Sequence, residues 1–223
     1  MQADQQYPKA VLWDFDGTLV DTEPVWQATE AAMLAEHGVT FTDEQWESMT
    51  GQDARLSAAA IAEATGRDDV DATLDDLQSR VVAHIRANDL PYLPGSRELL
   101  AELEERGVPC AIVTASSGFV LEAAKERLPG NVQFIITSDD VVETKPHPEA
   151  YLIAMDRLGL ASSEVIVLED SVPGSTSALA AGAVVYAVPS VPLEPHPRMH
   201  VGEGLDGITW EHLANVWRER KDA

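Results

Sequence analysis

The chain alternates between two hydrophobic rhythms. Five short runs rich in Val and Ile are apolar almost without a break: Ala10–Phe15, Val108–Val113, Val132–Thr137, Glu164–Leu168 and Ala183–Val188. Runs of that length without polar alternation fit strands covered on both faces, as in a parallel sheet. Between the later runs the spacing turns helical. Leu99, Leu100 and Leu103 mark a helix over Ser96–Arg106, and Val120, Leu121, Ala124 and Leu128 mark one over Gly118–Leu128. Tyr151, Leu152, Met155 and Leu158 mark a third over Pro148–Leu158. A fourth, Pro173–Ala181, opens on proline and stops at Gly182, the order that helix ends favour. Thr209–Arg220, with Leu213, Val216 and Trp217, reads as a last helix docked on the core. Strand–helix alternation of this kind predicts an α/β fold with a Rossmann-like, doubly wound parallel sheet.

The first run stands apart from the second. Between them, Thr22–Leu90 holds no convincing strand and several helix signals. Asp21 or Thr22 can cap a helix that runs through Glu36 with Pro24 near its start, and Thr42 with Gln45 makes a capping box. Asp53 can open a helix ending near Gly66, and Leu74, Leu77, Val81 and Ile85 share one helical face. The expectation is an inserted all-helical domain over residues 23–92, with residues 1–22 and 93–223 forming the α/β core. The acidic stretch Asp68, Asp69, Asp71, Asp75 and Asp76 reads as a solvated helix face.

Charge narrows the partners. The chain has 38 Asp and Glu against 15 Lys and Arg, a formal net charge of -23. Such a surface repels nucleic acid and anionic lipid, and Lys9, Lys125, Lys145 and Lys221 are too scattered to form a basic patch. No nucleic acid and no membrane is expected as a partner. Cys110 is the single cysteine, so a disulfide within the chain and a Cys-based zinc site are both excluded. It lies in an apolar run and reads as a buried core residue. Met1–Lys9 is polar, unlike a signal peptide, and no apolar run reaches the roughly 18 residues of a membrane span. A soluble cytoplasmic protein is expected.

In open α/β sheets, ligands bind beyond the carboxyl ends of the strands. The first run ends in Asp14-Phe-Asp16-Gly-Thr18, and the second in Thr114-Ala-Ser-Ser117. The third, after its loop, leads to Lys145-Pro146, and the fourth to Glu169-Asp170-Ser171. Four carboxylates would therefore converge on one sheet edge. Two ionised carboxylates about 4 Å apart repel by about 4 kcal/mol at an effective dielectric near 20, so the cluster calls for a cation. All-oxygen ligands suit Mg²⁺, which binds one or two carboxylates together with phosphate oxygens. Lys145 adds a positive charge, and the hydroxyls and N–H groups of Thr114–Ser116 ahead of a helix make an anion cradle. A metal, a lysine and an anion cradle describe a site for a phosphoryl group.

The motifs Asp14-Phe-Asp-Gly-Thr-Leu-Val-Asp-Thr-Glu-Pro24, Val113-Thr-Ala-Ser116, Lys145-Pro-His-Pro148 and Leu168-Glu-Asp-Ser-Val-Pro-Gly174 resemble, in order, the four motifs of the haloacid dehalogenase superfamily. The resemblance is to its β-phosphoglucomutase-like branch, with a helical cap after the first strand. It implies Asp14 as the nucleophile that forms an aspartyl-phosphate and Asp16 as general acid and then general base. It implies Thr114, Ala115 and Ser116 as holders of the phosphate oxygens and Lys145 as a bridge between phosphate and Asp14. It implies Mg²⁺ held by Asp14, Asp16 (through its carbonyl) and Asp170, with Glu169 a ligand or an outer-shell partner.

Asp16 argues against a dehalogenase, which has no alkoxide to protonate. The absence of lysine from Thr22–Leu90 argues against a phosphonatase. The hinge stretch Glu23-Pro-Val-Trp-Gln27 lacks the histidine of a β-phosphoglucomutase and looks more like branch members acting on hexose or hexitol phosphates. The expectation is a Mg²⁺-dependent phosphomonoesterase for a small phosphorylated metabolite, a sugar phosphate. The alternative is a phosphosugar mutase. In the cap, Gly51 and Arg55 are candidate substrate contacts, while Trp26 and Trp46 could stack on a sugar but fit the cap core better. A monomer is expected.

Two patterns near the end read as decoys. Gly202-Glu-Gly-Leu-Asp-Gly207 matches G-x-G-x-x-G by letter, but a Pro-rich loop separates it from the last expected strand. His196 and His200 have metal-like spacing and read as a solvated loop.

Overall fold

The computed structural model describes residues 6–49, 54–189 and 191–223. The chain forms two compact units. One comprises Met1–Asp21, Pro91–Leu121 and Arg127–Ala223, the other Thr22–Leu90 and Glu122–Glu126.

The second unit is helical: α1 (Glu23–Ala35), α2 (Asp43–Met49), α3 (Ala54–Thr65) and α4 (Val70–Ala87). Its centre is a cluster of Met33, Leu34, Phe41, Met49, Ile61 and Leu77, against which Trp26 and Trp46 pack. Phe41 and Trp46 meet edge to face, with ring centroids 5.5 Å apart. Both tryptophans thus serve the core of their own unit. Thr42 forms the expected capping box, accepting from Gln45 N at 3.3 Å while its own N–H donates to Gln45 Oε1 at 2.9 Å. Asp53, expected to open a helix, lies outside the described residues. The acidic stretch does more than meet solvent. Asp69 caps α4 by accepting from Ala72 N at 3.0 Å, and Asp76 pairs with Arg67 and Arg80 at 3.1 and 2.8 Å. Arg67 lies nine residues before Asp76, a separation that helical spacing within α4 does not reveal.

The first unit is the α/β core. Strands β1 (Ala10–Trp13), β2 (Cys110–Val113), β3 (Val132–Ile136), β4 (Val165–Glu169), β5 (Val184–Ala187) and β6 (Met199–Val201) form one sheet in the order β3-β2-β1-β4-β5-β6. Every neighbouring pair is parallel. All residues of β1, β2, β4 and β5 are buried, which is why their sequences are apolar up to Glu169 at the end of β4. Helices α5 (Ser96–Glu105), α6 (Gly118–Lys125), α7 (Glu149–Leu158), α8 (Val172–Ala180) and α9 (Trp210–Arg220) follow the expected pattern. Burial pushes the Cys110 thiol up to about 12, as befits an unreactive core residue.

Strand β6 corrects two readings. Its sequence, Met-His-Val, lacks an apolar run, because an edge strand is covered less completely than a central one. His200 therefore lies on a strand and not in a solvated loop, its ring 5.1 Å from that of Tyr186 and 6.1 Å from that of His212. Gly202–Gly207 follows β6 directly. Among the described residues no strand follows α9, and a Cβ at Gly202 would collide with the Tyr186 hydroxyl. That glycine makes room for a tyrosine.

No described helix is long and apolar enough to cross a membrane.

Leu12 in β1 is fully buried between β2 and β4. Leu12→Ala is expected to cost about 2–5 kcal/mol, read as a lower urea midpoint at unchanged slope. An unchanged midpoint would contradict the central position of β1.

Candidate active site

The site forms where the winding of the sheet reverses, at the carboxyl ends of the neighbours β1 and β4. Trp13 pairs with Leu168, and Asp14 N–H donates to Leu168 O at 3.0 Å. That register sets Asp14 beside Glu169 and Asp170, and an oxygen of each carboxylate lies within 4.8 Å of the others. Lys145, from the loop ahead of α7, enters the same cluster. Its ammonium donates to Asp14 Oδ1 at 2.7 Å, Glu169 Oε1 at 2.6 Å and Val113 O at 2.9 Å.

Backbone shape makes this approach possible. Gly17 has φ +83°, and a Cβ there would strike the Asp170 carboxylate, so only glycine fits. Gly174, in the first turn of α8, faces Glu169 in the same way.

Each carboxylate is differently supplied with donors. Glu169 is fully buried, and five protein donors reach it: Lys145 Nζ and Tyr151 OH on Oε1, and Asp170 N, Ser171 N and Ser171 Oγ on Oε2. Asp170 receives Thr18 Oγ1 on Oδ1 at 3.4 Å, a weak bond. Asp14 receives Lys145 on Oδ1. Burial holds Asp14 well above the usual carboxylate range, with Lys145 pulling down and Glu169 pushing up. Burial and then the Glu169 charge raise Asp170 to about 6. Burial would depress Lys145, but Asp14 and Glu169 outweigh it and raise the ammonium's pKa.

The cradle lies on the β2 side. Ser116 N donates to Thr114 Oγ1 at 3.0 Å, and Ser116 Oγ donates to Asp16 Oδ2 at 2.5 Å. Ala115 is exposed at the turn. The structure thus links Asp14, Asp16, Thr114, Ala115, Ser116, Lys145, Glu169 and Asp170 around one sheet edge. The two cap candidates fare differently. Gly51 lies outside the described residues. Arg55 is exposed on α3 and pairs with Asp71 at 2.5 Å. Sequence reasoning missed Thr18 and Tyr151. Tyr151 was read as an apolar contact of its helix, and the one available signal was a hydroxyl on an otherwise apolar helix face.

A family model of haloacid dehalogenase-like hydrolases matches residues 11–188. The chain belongs to the haloacid dehalogenase-like hydrolases. Within that family it is similar to validoxylamine A 7'-phosphate phosphatase of Streptomyces hygroscopicus subsp. limoneus, 34% identical over 78% of this chain and 82% of the relative. It is also similar to hexitol phosphatase A of Escherichia coli, 34% identical over 81% of this chain and 82% of the relative. The solved structure of CbbY from Rhodobacter sphaeroides in complex with phosphate shares its fold, with TM-score 0.67 and 26% identity over 82% of this chain and 87% of that one. The chain is accordingly an enzyme of the phosphatase kind found in this haloacid dehalogenase-like family.

The residues present fit a divalent cation. Two buried carboxylates and a half-buried one against one ammonium leave two negative charges uncompensated when all are ionised. Burial first, and the Glu169 charge after it, raise the Asp14 and Asp170 carboxyls. These two also retain oxygens without a protein donor among the described residues, whereas Glu169 is saturated. Asp170→Asn is therefore expected to stabilise the metal-free protein by about 1 kcal/mol, discounted for partial exposure. Thermal melts in EDTA at pH 7.5 check this, and a lower melting temperature for the variant would refute the charge argument.

Proposed function

We propose that this haloacid dehalogenase-like enzyme is a Mg²⁺-dependent phosphomonoesterase acting on a small phosphorylated metabolite, most simply a sugar phosphate, through an aspartyl-phosphate. The observation that carries this reading is Asp14, held at the end of β1 by Lys145 at 2.7 Å and next to Asp170. Its relatives include phosphatases of hexitol and of validoxylamine A 7'-phosphate.

Asp14 attacks phosphorus with the carboxylate oxygen that Lys145 leaves free, and the bond to the leaving oxygen breaks. Asp16 gives a proton to the departing alkoxide and then takes one from the water that hydrolyses the acyl-phosphate. The Ser116 hydroxyl, bonded to Asp16 Oδ2, orients that carboxyl in the ligand-free site. Thr114 Oγ1 and the N–H groups of Ala115 and Ser116 hold the phosphoryl oxygens. Lys145 neutralises charge on both the phosphoryl group and Asp14. Asp14, the Asp16 carbonyl and Asp170 would hold Mg²⁺, which supplies charge neutralisation for the phosphoryl group and keeps Asp14 ionised. Glu169, saturated by protein donors, is assigned outside the metal's shell. Gly51 and Arg55 remain candidate contacts for the organic part of the substrate, with Arg55 first having to leave Asp71.

The test is phosphate release from a panel of hexose, hexitol and small acid phosphates. Asp14→Asn is expected to reduce kcat by at least about 10³-fold, the scale for losing a covalent nucleophile, and EDTA to abolish turnover reversibly. Metal-independent release, or release that survives Asp14→Asn, would overturn the mechanism. Isomerisation of glucose 1-phosphate with a bisphosphate activator, without net phosphate release, would make the enzyme a mutase.

A further inference from the structure

Tyr151 is a buried residue with a polar group that this mechanism leaves unused, and its hydroxyl reaches the site. It lies on α7, fully buried, with its hydroxyl donating to Glu169 Oε1 at 3.0 Å and its ring centroid 5.1 Å from Lys145 Nζ. Its two neighbours are thus the ammonium that must meet the phosphoryl group and the carboxylate that holds this ammonium in place.

The hydrogen-bond inventory of Lys145 shows why this matters. An ammonium has three protons, and all three are taken, by Asp14, Glu169 and Val113. A phosphoryl oxygen can gain one only if an acceptor gives it up. Asp14 must stay paired while it attacks. Glu169 can release Lys145 without leaving Oε1 bare, because Tyr151 OH donates to that same oxygen. A buried carboxylate oxygen stripped of every donor would carry its full desolvation penalty. The aromatic face beside Lys145 meanwhile offers the cation contact that persists as its N–H groups turn.

We propose that Tyr151 is a positioning residue for Lys145: its hydroxyl keeps Glu169 satisfied while Lys145 turns one N–H from Glu169 to the incoming phosphoryl group. The inference rests on the phosphoryl-transfer reading of the site. It assigns Tyr151 a role in the phosphate-bound state beyond its packing in the ligand-free fold. No bond to Tyr151 forms or breaks, and only hydrogen bonds are exchanged.

The experiment is calorimetric titration of inorganic phosphate into the Mg²⁺-loaded wild type and Tyr151→Phe, which keeps the ring and removes the hydroxyl. Melting temperature and Mg²⁺ affinity are measured without phosphate. Tyr151→Phe is expected to weaken phosphate binding about tenfold, the scale of one hydrogen bond to a charged group, with the melting temperature and Mg²⁺ affinity close to wild type. In a Glu169→Gln background, where no buried anion needs the donor, Tyr151→Phe is expected to add little. This double-mutant cycle reads the coupling independently of either variant's own stability. Unchanged phosphate affinity in Tyr151→Phe would overturn the proposal. So would parallel loss of phosphate affinity, Mg²⁺ affinity and melting temperature, the signature of a purely structural residue. A wild type that binds no phosphate with Mg²⁺ present would overturn the phosphatase reading itself.

Discussion

The structure is organised around a charge imbalance. Three carboxylates and one ammonium are packed at the ends of two neighbouring buried strands. Water cannot screen these groups as it screens surface charges, so their repulsion must be absorbed by directed donors or by a bound cation. Glu169 takes the first solution completely. Asp14 and Asp170 have fewer protein donors, Lys145 for the one and a long Thr18 bond for the other.

That imbalance explains local choices that look arbitrary in isolation. Gly17 and Gly174 lack side chains because carboxylates occupy the space where a Cβ would be. Ser171 serves twice, accepting from Gly174 N to cap α8 while its hydroxyl donates to Glu169. One residue thus starts a helix and satisfies a buried anion. The parallel sheet supplies the rigid frame, since the Asp14 N–H to Leu168 O bond fixes the Asp14 backbone to the strand that carries its neighbours.

Much of this was legible in the sequence, for physical reasons that also set the limits. Strands β1, β2, β4 and β5 announce themselves because burial on both faces requires unbroken apolar runs. Strand β6 stays hidden because an edge strand can afford Met-His-Val. The motif residues could be read because chemistry restricts residue type tightly at each strand end. Tyr151 could not, because a tyrosine at helical spacing looks the same whether its hydroxyl meets solvent or a buried glutamate. Arg55 shows the opposite limit. An arginine in a cap loop resembles an anion contact, and only three-dimensional structure reveals Asp71 as its partner. The acidic stretch meets solvent as expected, with Asp68, Asp69, Asp71 and Asp75 exposed, but the Arg67 partner of Asp76 lies outside the helical spacing of α4 and shows only in the structure.

The place of β1 in the sheet also bears on how the protein is made. Val11 pairs with Cys110 on one side, and Leu12 with Val167 on the other. Both partners are encoded after the helical unit. During synthesis this fully buried, apolar strand emerges early and must wait for its neighbours, while the helices that follow it can already pack through contacts close in sequence. A waiting strand of this composition is a sticky surface in a crowded cell. The route to the native state is thus exposed to aggregation by the same long insertion that separates Asp14 from the carboxylates and the lysine it meets in the fold, and translation pauses or chaperone contact within that interval would act on β1 above all.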